Sequence, residues 1–170
     1  PVGPGTTYYE LRFLRADNGK GRMDAFLIAV DTRNPYVHVE QVLGTGKIIG
    51  TERPSKMAER STTENKIFFA GSNGDFFVTQ GDVGLPVSTT IVNNEYAHTP
   101  VANRTARRLG AIDADGRGAT AYRHSISMKL VMGDQTLGIA HANYKRAENE
   151  LVLYNHHNGA TTATNAYGTE

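Results

Sequence analysis

Apolar and polar side chains alternate over residues 8–14, with Tyr9, Leu11 and Phe13 on one face and Glu10 and Arg12 on the other, which predicts a half-buried peripheral strand. Residues 25–30 are apolar on both faces, the pattern of a strand covered on both sides, and Asp17-Asn18-Gly19 with Gly21 supplies the turn before it. The valine-rich stretch 36–43 continues the strand pattern until Gly44, Gly46 and Gly50 interrupt it. Proline is tolerated in a first helical turn, so 54–60 predicts a short helix, with Thr51 or Glu52 available for its free amides. Strand patterns return over 67–70, 89–92, 96–98, 109–113, 125–132, 137–143 and 151–154. The run Ile126, Met128, Leu130, Met132 keeps strict period two, and Asp115-Gly116 and Gly133-Asp134 mark hairpin turns. The fold class that follows is α+β, a strand-rich mixed sheet with one or two short helices. Residues 1–19 form a lead-in and peripheral strand, and 20–170 form the domain.

Composition narrows the class without naming a partner. A chain of 170 residues, 39% hydrophobic and 21% charged, is enough for one domain with a core. The formal net charge is +1 and neither sign is gathered into a block, so nothing signals nucleic-acid binding. No stretch approaches the roughly 20 apolar residues of a membrane span. The absence of cysteine excludes disulfides and thiolate metal clusters.

The segment Phe68-Phe69-Ala70-Gly71-Ser72-Asn73-Gly74-Asp75-Phe76-Phe77 carries the most chemistry. A buried strand ending in Asn-Gly-Asp between aromatic pairs would fix an amide and a carboxylate at the rim of an apolar-walled pocket. A type I′ hairpin turn at Asn73-Gly74 accounts for the same spacing equally well. The glycine-rich Gly81-Asp82-Val83-Gly84-Leu85-Pro86 that follows would let backbone approach a ligand closely, which favours the pocket.

In order along the chain, Arg53-Pro54-Ser55-Lys56-Met57-Ala58-Glu59-Arg60, Asn73-Gly74-Asp75-Phe76-Phe77, the Gly…Pro loop, Ile91-Val92-Asn93-Asn94-Glu95 and Leu109-Gly110-Ala111-Ile112-Asp113-Ala114-Asp115-Gly116 are followed by His141-Ala142-Asn143-Tyr144, Glu150-Leu151-Val152-Leu153-Tyr154-Asn155 and Thr162-Ala163-Thr164-Asn165-Ala166-Tyr167-Gly168-Thr169-Glu170. This succession, over about 20–170, resembles the phosphodiester glycosidase family. The resemblance implies hydrolysis of a sugar-1-phosphate diester, such as an N-acetylglucosamine-1-phosphodiester, in a secreted, periplasmic or cell-envelope setting. It implies Asp75 and Glu170 as catalytic carboxylates, and Asn73, Gly74, Asn143 and Asn165 as substrate-binding positions. A phosphate leaves as a stable anion, so acid assistance matters less than for an ordinary glycoside.

The chain departs from the family pattern at Asn93-Asn94-Glu95, where Asn-Gly-Glu is usual; asparagine tolerates the left-handed backbone such a turn needs. Family domains also continue past the Tyr-Gly-Thr-Glu block, through an Arg-Thr-Ala-type segment expected to hold phosphate. Asn103-Arg104-Thr105-Ala106 comes too early to be that segment. A domain completed by a C-terminal segment or a second chain is therefore expected. The competing class is a non-catalytic carbohydrate- or envelope-binding domain on the same fold.

The remaining residues argue for little. Adjacent side chains on an extended strand point apart, so His156-His157 reads as a solvated pair that one metal would rarely share, and no metal site is expected. His141 reads as a satisfied histidine at the core edge. Ser88, Ser125 and Ser127 lack a nucleophile elbow, and neither a P-loop nor a dinucleotide fingerprint is present. No cofactor is indicated.

Overall fold

The computed structural model describes residues 1–14, 21–100, 109–113, 115–121 and 125–162. It is α+β and strand-rich. Antiparallel hairpins join β1 (Thr6–Leu14) to β2 (Arg22–Val30), β3 (Thr90–Val92) to β4 (Glu95–His98), β5 (Leu109–Ile112) to β6 (Gly118–Ala121), and β7 (Met128–Met132) to β8 (Gln135–Ile139). A fifth pair, β9 (His141–Ala142) with β10 (Val152–Leu153), is parallel. One helix, α1 (Pro54–Ser61), and a single 3-10 turn at Gly44–Gly46 complete the described elements.

Turn chemistry sets the hairpins where the sequence placed them. Gly133, at φ 59°, opens the two-residue loop between Met132 and its partner Gln135. Asp113 Oδ1 accepts from the amides of Asp115 and Arg117, and Gly116 at φ 77° closes the β5–β6 loop. Between β3 and β4, Asn93 (φ 51°) and Asn94 (φ 65°) are both left-handed, as a type I′ turn requires. Asparagine thus does here what glycine does in the usual motif.

Helix α1 starts on Pro54, as expected, but not on the expected cap. Arg53 occupies the N-cap position with no side-chain hydrogen bond. The Glu52 carboxylate instead accepts from the Thr45 amide at 3.0 Å and pairs with Arg60 Nη2 at 2.8 Å, and Arg60 also donates to the Leu43 carbonyl at 2.9 Å. These bonds hold Glu52 below the usual carboxylate pKa range, the Arg60 hydrogen bond foremost, and tie the helix to the loop that carries the core residue Leu43.

The core gathers Leu43, Ile48, Leu85 and Ala97, with Val78, Val92 and Tyr144 against it. It lies beside β3, β4 and β9 rather than under the long strands. The expectation of a covered central strand over 25–30 is overturned: β2 belongs to a two-stranded ribbon, and Phe26 and Leu27 are exposed. A ribbon shields its apolar faces only when a further layer lies on them, and apolarity on both faces does not supply that layer. The same holds for β7, where Leu130 and Met132 remain exposed despite their strict alternation. The β1–β2 register runs unbroken from Thr6↔Val30 to Leu14↔Arg22, so the peripheral strand is tied along its length to the segment after residue 20. Residues 36–43 and 67–70 form no strand; only Val37 and Leu43 of the first are buried.

Candidate functional site

Asp75 is half-buried at the end of an extended, unpaired stretch, and three protons converge on its carboxylate. The Ser88 amide donates to Oδ2 at 2.8 Å, the Ser88 hydroxyl to Oδ1 at 3.3 Å, and the Phe76 amide to Oδ1 at 2.7 Å. Ser88 is held in place because 76–78 and 85–87 run side by side: the Val87 amide donates to the Phe76 carbonyl, the Val78 amide to the Leu85 carbonyl, and Phe77 bridges Pro86. This pairing sends Val78 and Leu85 into the core and leaves Phe76 and Phe77 outward.

Asn73, Gly74, Asp75, Phe76, Phe77 and Thr79 line an open groove of about 400 Å³. The expected juxtaposition of amide, carboxylate and aromatic walls is therefore present, in altered form. The aromatic rings are exposed, with Phe76 at 76%, and no buried strand leads into the motif. Neither Asn73 nor Gly74 has positive φ, which excludes the type I′ turn. In the glycine-rich loop after it, the close approach that Gly84 permits is to the protein's own backbone. Gly84, at φ 96°, lies against the Gly50 backbone where a Cβ would collide, and the Gly50 amide donates to the Val83 carbonyl at 2.8 Å.

Behind the groove lies a buried polar layer. Asn143, 1% exposed and at φ 50°, donates from Nδ2 to the Ala97 carbonyl at 2.9 Å and to Asn155 Oδ1 at 2.6 Å. Its Oδ1 accepts from the Asn155 amide at 2.9 Å, and Asn155 Nδ2 donates to the Tyr96 carbonyl at 3.0 Å. Two asparagines thus stitch β4 to the ends of β9 and β10. Thr99 adds a second stitch, its hydroxyl accepting from the Ala142 amide at 2.8 Å. A buried polar group left unpaired costs free energy, and these side chains satisfy one another across short strands.

His98 sits in this layer, 1% exposed, with Nδ1 3.4 Å from the Asn143 carbonyl. A carbonyl only accepts, so that contact places the proton on Nδ1. Burial pushes the His98 pKa down to about 4, against the opposing pull of the Asn143 carbonyl and the Asp75 charge, and the imidazole is neutral at neutral pH. Asp75 and Asn143 thus both act on one buried ring. His141 packs edge-on against Tyr144 at 5.4 Å and places Nε2 3.7 Å from Glu150. Its Nδ1 is buried without a hydrogen-bond partner, so it is less satisfied than the sequence suggested.

Of the site residues expected from sequence, Asn73, Gly74 and Asp75 share the groove, while Asn143 lies in the layer behind with its amide committed to protein partners. Asn165 and Glu170 fall outside the described residues. Sequence reasoning missed His98, which no local motif marks, and the bracing role of Asn155 at the end of its motif. It also missed the convergence of His156 and His157 on Glu95, at 3.5 Å and 3.4 Å. No protein-family model, curated protein or solved structure matches the chain. The resemblance to phosphodiester glycosidases rests on the ordered motifs alone.

Proposed function

We propose that this domain hydrolyses a sugar-1-phosphate diester, with Asp75 as the carboxylate that faces the anomeric carbon and Asn73 orienting the sugar. The observation that supports this reading is the setting of Asp75: a carboxylate fixed by three donors at the rim of a groove walled by Phe76 and Phe77, with a neutral buried histidine behind it. A carboxylate oriented before substrate arrives can stabilise positive charge developing at the sugar carbon without reorganising. Exposed aromatic faces suit the apolar face of a sugar ring. Glu170 is the second carboxylate of the proposal, Asn165 a further orienting group and Asn143 the residue that holds the layer beneath. A secreted or cell-envelope location accompanies the family reading.

A second reading, carbohydrate binding without turnover, is favoured by one observation. Among the described residues that line the groove there is one carboxylate and no cation to receive phosphate. Hydrolysis of a sugar-1-phosphodiester by wild type and Asp75→Asn, with equilibrium binding measured alongside, separates the two. The glycosidase reading expects turnover that falls more than about tenfold, roughly 1.4 kcal/mol of barrier, in the variant. Binding with no turnover in wild type supports the second reading and overturns the first.

A further inference from the structure

We infer that Glu95, His156 and His157 form a binding site for a divalent d-block cation such as Zn²⁺. The three come together because two turns place them. The Asn93-Asn94 turn delivers Glu95 to the start of β4, and a turn over 155–158, closed by the Asn158 amide on the Asn155 carbonyl at 3.0 Å, breaks the strand alternation that would send adjacent histidines apart. The two imidazoles lie 3.9 Å apart between centroids, their planes tilted by 42°. One ligand atom from each of the three residues lies within 4.8 Å of the other two.

The geometry suits a metal better than an ion pair. Glu95 Oε2 is 3.5 Å from His156 Nδ1 and 3.4 Å from His157 Nε2. Ligands about 2.0–2.2 Å from a tetrahedral ion stand about 3.3–3.6 Å from one another, the spacing already present between Glu95 and each histidine. The His157 side chain is only 8% exposed, and its Nε2 has no aligned hydrogen-bond partner although it is aimed at the carboxylate. A buried imidazole nitrogen without a partner is unusual, and a cation between it and Glu95 would satisfy both. The ring is positioned for this from behind: Asn155 Oδ1 accepts from the His157 amide at 3.1 Å, and the His157 carbonyl accepts from the Ile48 amide at 2.9 Å.

Two imidazole nitrogens and one carboxylate oxygen form a donor set for zinc and its neighbours rather than for magnesium or calcium, which prefer oxygen throughout. His156 and Glu95 face solvent, so a fourth position remains open to water or a ligand. The ammonium of Lys47, bonded to the His156 carbonyl, is the nearby charge that opposes a cation. This site does not depend on the glycosidase reading.

The test is calorimetric titration of the chelator-treated 170-residue chain with Zn²⁺, followed by Co²⁺ absorption spectroscopy. One equivalent should bind and raise the melting temperature, Co²⁺ should show a low-coordinate visible spectrum, and Mg²⁺ should do neither. Glu95→Gln and His156→Ala, both at exposed side chains, should weaken Zn²⁺ binding roughly tenfold or more, since each removes one of three ligands. His38→Ala, at an exposed histidine elsewhere, should leave it unchanged. His157→Gln checked by circular dichroism completes the set. Absence of Zn²⁺ binding, or binding that Glu95→Gln and His156→Ala leave intact, overturns the site.

Discussion

The β1–β2 hairpin and the β4–β9–β10 layer are opposites in construction. The hairpin has the longest strands and an unbroken register, yet most of its large side chains face solvent, Phe26 at 69%. Strands of two to four residues make up the layer, which nevertheless buries Ala97, His98, Ala142 and Asn143 almost completely. Backbone pairing and exposed cross-strand contacts stabilise the first. The second is held by side-chain amides that bond across strands too short to bond extensively through their backbones. Regular secondary structure and burial have separated in this molecule, and the candidate chemistry lies with burial.

That contrast can be broken most severely at Asn143. Replacement by alanine takes the Asn143 side chain away from the Ala97 carbonyl and the Asn155 amide in a buried layer and leaves an alanine at φ 50° with no compensating bond, so we expect a loss of about 3–4 kcal/mol in denaturant unfolding. Asn143→Gly should recover about 1 kcal/mol of it by relieving the backbone alone. Equal losses for the two variants would show that backbone conformation plays no part.

His98 gives the next effect. Its pKa in the folded protein, about 4, lies below its ordinary value of 6.5, so the unfolded chain binds the proton more readily. Its contribution is therefore complete above pH 6.5 and is lost as pH falls towards 4, by roughly 3 kcal/mol over that window. Stability measured against pH should flatten there in His98→Gln. A variant with the wild-type slope would move the acid sensitivity to other groups.

Asp75→Asn should cost about 1 kcal/mol of stability, because one oxygen facing the Ser88 and Phe76 donors becomes an amide, while turnover falls more than about tenfold. A loss of activity that merely tracks the loss of folded protein would make Asp75 a structural pin. The smallest effect belongs to the hairpin. Tyr8 and Phe26 stack across it at 6.2 Å and 8°, and Phe26→Ala should cost less than about 1 kcal/mol, the range of an exposed cross-strand aromatic pair. A loss of 3 kcal/mol would mean that the hairpin is covered after all.

Much of the local structure was legible in the sequence because it depends on local chemistry. Pro54 started a helix, Gly133-Asp134 and Asp115-Gly116 made turns, and Asn93-Asn94 took the left-handed conformation that asparagine tolerates. Layering was not legible, since residues 25–30 have the apolarity of a central strand whether or not another layer arrives. Asn73-Gly74-Asp75 was visible as a motif because its parts are contiguous. The bracing role of Asn155, His98 and the Glu95 cluster were not, because their partners lie tens of residues away and meet only through the parallel pairing of β9 with β10 and through two turns. The alternation rule failed at His156-His157 for the same reason: it applies to extended chain, and a turn stands there.

The central claim is that ligand chemistry belongs to the braced layer and its groove. Deuterium exchange of the backbone amides, with and without a saturating sugar-1-phosphodiester, tests it most directly. We predict slower exchange over 73–79 and 88–98 and no change over 6–14 and 22–30; protection confined to the β1–β2 hairpin, or none in the groove at saturation, would contradict it.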